Sequence, residues 1–173
     1  MSTTRHPSDA HPYAWVDAAP FRAHLLHVST IAGLPWQVVA LSAGVSISTA
    51  TSLVRGRNGR RLRRLPRHAA HLLLAVTPQN VTALSHTWVG GGRTRQRLAE
   101  LARRGHDPHE LAVHMGVPKE VTTALLAGAN GPVTTAWAYG VLAAHELIDK
   151  SALGAAGRDR GVSARPAAVA SAA

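Results

Sequence analysis

Seven arginines, Arg55, Arg57, Arg60, Arg61, Arg63, Arg64 and Arg67, fall within 13 positions of the chain. A guanidinium is a planar fork of donors that matches phosphate and guanine edges bidentately. Crowded this closely the groups repel one another unless an anion lies between them. The run therefore suits a phosphate clamp, with a basic loop holding solvent ions as the blander reading. Just ahead of it stand Ser46, Ile47, Ser48, Thr51 and Ser52. Hydroxyls and a methyl-bearing side chain at this spacing suit base edges and thymine methyls. The chemistry on offer is recognition of a polyanion, with bases read beside a gripped backbone. Inside the run, Asn58-Gly59 marks a tight turn, the tip expected of a short β-hairpin.

Such side chains need a rigid support. Pro35 to Arg55 reads as two short helices joined by a turn. Ala40 sits where the helices must approach closely, and Gly44 allows the turn a positive φ. Val45 plugs the space between the helices, and Ser46 can cap the second one. Val39, Ala43, Val45, Ala50 and Leu53 form the expected buried face. This is the layout of a helix-turn-helix, whose second helix enters the DNA major groove.

Composition narrows the class. The 173 residues are 46% hydrophobic but only 4% aromatic, which favours small helical domains over a β-sandwich. Cysteine is absent, so no disulfide framework and no thiolate metal site is available. The first residues are polar and broken by prolines, unlike a secretory signal. The longest apolar run, near Leu72 to Val76, is far too short to span a bilayer. A cytoplasmic, nucleoid-associated protein with no membrane partner is expected. Nineteen Lys and Arg against nine acids give a formal charge of +10, a surplus that draws polyanions. A GC-rich genome also enriches Arg and Ala, so position along the chain carries more weight than the total.

The expected fold is all-α, with two small helix-turn-helix domains in tandem. Residues 1–17 read as a disordered arm, with Tyr13 and Trp15 docking back onto the first domain. Residues 18–76 form that domain: a helix with Phe21, Leu25, Val28 and Ala32 inward, the helix pair, the arginine loop, and a helix with Ala69, Leu72, Leu73 and Val76 inward. Residues 77–92 read as a linker, too apolar at Val81, Leu84, Trp88 and Val89 for a free tether, so that part of it packs on one domain or forms a short helix, with Gly90 to Gly92 as its flexible joint. Fully extended, such a linker reaches about 50 Å, beyond the roughly 34 Å of one DNA turn. Residues 93–149 form a second domain, and 150–173 a disordered tail. The four tryptophans read as core or docking anchors.

The second half repeats the first at an offset of 72 positions. Gly33 falls on Gly105, Ala40 on Ala112, Gly44 on Gly116, Val45 on Val117 and Leu53 on Leu125. Gly56, Asn58 and Gly59 fall on Gly128, Asn130 and Gly131, with no gap. These are turn and core positions, where physics restricts the residue type. The halves differ in chemistry. The second outward helix carries Lys119, Glu120, Thr123 and Ala124, and no arginines follow it. Contact by this domain is expected mainly through Arg93, Arg95 and Arg97 on phosphates or a narrow minor groove, with Lys119 and Thr123 beside them.

Other signals are weaker. His106, His109 and His114 with Glu110 lack metal-ligand spacing, and His24/His27 and His68/His71 lack carboxylate or Cys partners. No metal and no cofactor is expected. The acids do not pair, and there is no phosphate loop and no nucleophile elbow, so no catalytic residue is assigned and no enzyme is expected.

LPWQVVALSAGVSISTATSLVRG and HDPHELAVHMGVPKEVTTALLAG, with HLLLAVTP and RTRQRLAELARRGH between them, resemble the tandem helix-turn-helix proteins of actinobacteria and their phages. The likeness covers about residues 18 to 149. It implies a sequence-specific double-stranded DNA-binding regulator of the repressor type, with two unequal domains on one site. A monomer on DNA is implied, with pairing through the last helix as the alternative. In this reading Ser46, Ile47, Ser48, Thr51 and Ser52 read bases, while Arg55, Arg57, Arg60, Arg61, Arg63 and Arg64 grip phosphate. The competing function is a helical adaptor touching the transcription machinery.

Overall fold

The computed structural model describes residues 14–57 and 59–162. Among them are nine helices and two small antiparallel sheets, so the fold is mainly α. The first half runs β1 (Trp15–Asp17), α1 (Ala19–Ala32), α2 (Trp36–Ser42), α3 (Ile47–Arg55), β2 (Arg64–Pro66), α4 (Arg67–Leu74) and α5 (Pro78–Ala83). The second runs β3 (Trp88–Gly90), α6 (Gly92–Arg103), α7 (Pro108–Met115), α8 (Lys119–Leu126), β4 (Pro132–Thr134) and α9 (Thr135–Val162). Each half thus runs strand, three helices, strand, helix, and the first half adds the short α5. β1 pairs with β2, Val16 opposite Leu65, and β3 with β4, Val89 opposite Val133.

Backbone chemistry at the turns explains the repeat. Gly33, Gly44 and Gly56 have φ of 64, 76 and 85°, and Gly105, Gly116 and Gly128 have 87, 62 and 88°. Each pair lies 72 positions apart, and only glycine enters this region cheaply. Past Gly56 and Gly128 the register slips. β2 precedes β4 by only 68 positions, so the ungapped alignment of Gly59 with Gly131 does not hold. The first half has four extra residues there. Arg57 and Arg60 exchange two backbone hydrogen bonds of 2.8 and 3.0 Å, closing a tight hairpin with Gly59 at φ 73°. That is the expected hairpin, although its Asn58 lies outside the described residues.

Two cores form. Leu25, Val28, Val39, Ala40, Val45, Leu53, Leu65 and Leu73 belong to the first; Leu98, Leu101, Leu111, Met115 and Val141 to the second. Each fully buried Leu or Val is worth about 1.5–3 kcal/mol by transfer. Leu72, expected inward, is exposed, because α4 turns Ala69, Ala70 and Leu73 to the core instead. Trp36 and Trp137 pack on the cores as expected. Trp15 and Trp88 do not: they are 58 and 60% exposed at the heads of the two N-terminal strands.

The stretch 77–92 is not a free tether, in keeping with its apolar residues, and it includes the short helix α5. Val81 of α5 is buried in the first core, and β3 is hydrogen-bonded into the second sheet. Gly91 is small because it is crowded. A Cβ there would meet the Gly131 carbonyl at 2.5 Å and Arg95 Nη1 at 2.7 Å. Nor do residues 14–17 belong to a loose arm, since β1 is paired; residues 1–13, with Tyr13, lie outside the described residues. The chain continues as α9 through Val162, past the expected start of a tail at 150, and residues 163–173 lie outside the description.

The two halves touch. α9 packs against α6 and α7 of its own half, and also against α2 and α3. Pro35 seats so closely on the α7–α8 turn that a Cβ at Gly116 would stand 2.5 Å from its Cγ. Val38 and Ile47 are completely buried yet belong to neither core. They sit on the two helices that α9 leans against.

Candidate nucleic-acid interface

α3 begins where Ser46 accepts a hydrogen bond from the Thr49 amide at 3.3 Å, a side-chain cap as the sequence suggests. Ile47, Ala50 and Leu53 are buried along one side. Ser48, Ser52 and Arg55, at i, i+4 and i+7, share the opposite face. Ser48 and Arg55 are exposed, and Ser52 and Thr49 half-buried.

Two expected base readers are corrected here. Ile47 is 0% exposed and cannot reach a base without α3 leaving its seat. Thr51 lies one turn on, along the same flank. Its Oγ1 is buried with no hydrogen-bond partner among the described residues. Both residues belong to a helix that α9 packs against. The counterpart of Ile47 in the second half is Lys119, exposed at the head of α8. An apolar residue stands at the buried position and a cation at the exposed one.

Beyond α3 the arginines stay outward. Arg57, Arg60, Arg61, Arg63, Arg64 and Arg67 are all exposed, and none has an acidic partner among the described residues. Arg67 Nε instead meets His71 Nε2 at 3.3 Å. Arg55 lies over the Trp36 ring, 5.9 Å from its centroid. It also edges a cleft whose far wall is Ala144, Leu147 and Ile148 of α9. The surrounding sequence sharpens this field. No acid occurs between Asp17 and Glu100, a span that contains eleven arginines.

No family model, no curated protein and no solved structure matches this chain.

The second half spends its charges internally. Arg103 and Arg104 both pair with Glu100, and Arg104 also reaches Asp149 of α9. The Arg104 hydrogen bond holds the Glu100 carboxyl below its ordinary range, and does the same for Asp149. Reciprocally, the Asp149 contact raises the Arg104 guanidinium. His145 Nδ1 completes the cluster 3.0 Å from Asp149. Arg95, expected on DNA, donates instead to the carbonyls of Ala129 and Gly131 at 3.4 and 3.1 Å. Arg93 and Arg97 do remain together, in an open trough with Gln96, Glu100, Arg103 and His145. Lys119, Glu120, Thr123 and Ala124 form an uncovered face on α8.

Sequence reasoning missed Arg22. Its Nε donates to Leu53 O at 2.5 Å and its Nη2 to Leu62 O at 2.8 Å. A signal was present. Trp15, Val16 and Arg22 recur as Trp88, Val89 and Arg95 at an offset of 73, one more than the offset that aligns the helix pairs.

Proposed function

We propose that the chain is a sequence-specific double-stranded DNA-binding regulator of the repressor type, made of two unequal helix-turn-helix units in tandem and working at the nucleoid. One observation carries the reading. The outer strip of α3, with Ser48 and Arg55 exposed and Ser52 half-buried, runs directly into a hairpin of exposed arginines that lack acidic partners among the described residues. Hydroxyls beside a backbone grip are what direct readout in a major groove requires. In this reading Ser46, Ser48 and Ser52 read bases, and Arg55, Arg57, Arg60, Arg61, Arg63 and Arg64 hold phosphates. The second unit adds Arg93 and Arg97 on phosphate, with Lys119 and Thr123 at its rim. Its α9 braces the first unit's reading helix.

Among the described residues no single helix is long and apolar enough to cross a membrane. The resemblance to tandem regulators of actinobacteria and their phages points to the same activity. The test is a fluorescence titration against random duplex at low and moderate salt, followed by selection of preferred sites from a random library. Salt-sensitive binding and one enriched site are expected. No binding at low salt would refute the proposal. It would favour the adaptor reading, for which the uncovered α8 face and the 70% exposed Val113 of α7 are the relevant surface residues.

A further inference from the structure

We infer that Arg22 is a positioning residue that joins the base-reading helix to the phosphate-gripping hairpin, so that the two move as one body. The role rests on the DNA-binding reading above; the joint itself does not. Arg22 stands in the first turn of α1, far from α3 in sequence. Its guanidinium bonds the Leu53 carbonyl, in the last turn of α3, and the Leu62 carbonyl, just past the hairpin. Carbonyls at a helix C-terminus lack intrahelical donors and carry the negative end of the helix dipole. A cation there is favourable, and a rigid fork can hold two such oxygens in fixed relation.

The second unit repeats the device. Arg95, in the first turn of α6, bonds the Ala129 and Gly131 carbonyls of the loop after α8. The backbone around each arginine also matches. The Arg22 amide bonds the Ala18 carbonyl, and the Arg95 amide bonds the Gly91 carbonyl. One device built twice, with Trp-Val seven and six residues ahead of its arginine both times, is a design of the unit rather than a chance contact. Only in the first unit does the held loop contain arginines. There the joint does more than close a loop: it sets where Arg57, Arg60 and Arg61 stand relative to Ser48 and Ser52.

A second joint supports this one. Gly56 has φ 85°, and a Cβ there would meet the Arg60 carbonyl at 2.5 Å. The hairpin therefore folds back against the end of α3 at a glycine, while Arg22 holds it from the other side.

The test uses full-length Arg22→Lys, which keeps the charge but not the fork, and Gly56→Ala, which disturbs the same joint without touching Arg22. Hydrogen exchange of the Arg57 and Arg60 amides is expected to quicken about tenfold or more in both variants, with α7 amides unchanged. Binding to random duplex at low salt should stay within about threefold, because every phosphate-facing charge remains. Preference for the selected site over random duplex should fall about tenfold or more, because base and phosphate contacts lose their common register. Hairpin amides exchanging at the wild-type rate in a folded Arg22→Lys protein would overturn the joint. Loosened amides with undiminished site preference would overturn its role in recognition. If the wild type binds no duplex, the DNA reading fails, and exchange alone still decides whether the joint exists.

Discussion

Removing two arginines from the hairpin should act differently from removing two arginines elsewhere. Arg60 and Arg61 are exposed and have no acidic partner among the described residues, whereas Arg103 and Arg104 are each paired with Glu100. Both double replacements by alanine change the net charge equally. If charge alone drove binding, the two proteins would behave alike. In the proposed interface Arg55, Arg57, Arg60, Arg61, Arg63 and Arg64 each neutralise one phosphate. These six contacts contribute about five to the log–log salt slope, and losing two lowers the slope by about 1.8 whatever Arg93 and Arg97 add. Between 50 and 200 mM salt, the six contribute a weakening on the order of 10³-fold and the remaining four on the order of 10²-fold. Fluorescence anisotropy on random duplex across that range measures the slope. Arg60→Ala with Arg61→Ala should lower it by nearly two, and Arg103→Ala with Arg104→Ala by less than about half a unit. Equal shifts in the two proteins, or no shift in the first, would refute the assignment of the hairpin to phosphate.

Ser48→Ala and Ser52→Ala should each lose about 1–3 kcal/mol of discrimination where a good base contact is removed, read by competition between selected and random duplex. Thr51→Val should leave that discrimination unchanged. It should raise thermal stability slightly, by up to about 1 kcal/mol, since it removes a buried hydroxyl that lacks a partner. Gly116→Ala should cost more stability than Gly44→Ala. Both residues have positive φ, worth about 1–2 kcal/mol against alanine, but only Gly116 also meets Pro35, so the difference in melting temperature reports the contact between the halves. Acidification should weaken the tie between α6 and α9. Glu100 and Asp149 have depressed folded-state values, so their contribution is complete above the ordinary carboxylate range and is lost as pH falls below it. A melting temperature that did not fall more steeply with acid in wild type than in Arg104→Met would count against that tie.

Much of the local architecture was legible. Turn glycines, the Ser46 cap, the alternation of buried residues in α3 and the Asn-Gly hairpin each depend on a few neighbouring residues, and φ restrictions or helix period decide them. The repeat was legible for the same reason, at Gly33, Gly44 and Gly56 and their partners. The site was legible as a set of residue types, not as a surface. Ile47 continues the apolar row of Ala50 and Leu53 at helical spacing, so its burial could have been read from the period, whereas no local rule marks the Thr51 hydroxyl as buried. Arg95 differs from Arg93 and Arg97 only in which carbonyls lie within reach.

From its own residues the chain determines that it forms short helices in two similar sets, with arginines gathered at one loop. Those outcomes follow from backbone sterics and side-chain periodicity acting over a few positions. The folded arrangement alone decides that α9 lies against α2 and α3, that Gly91 sits in a packed corner against Gly131, and that Arg22 and Arg95 face backbone carbonyls instead of solvent. These depend on contacts between segments tens of residues apart, where the entropy of closing the chain is offset only by the packing of the whole.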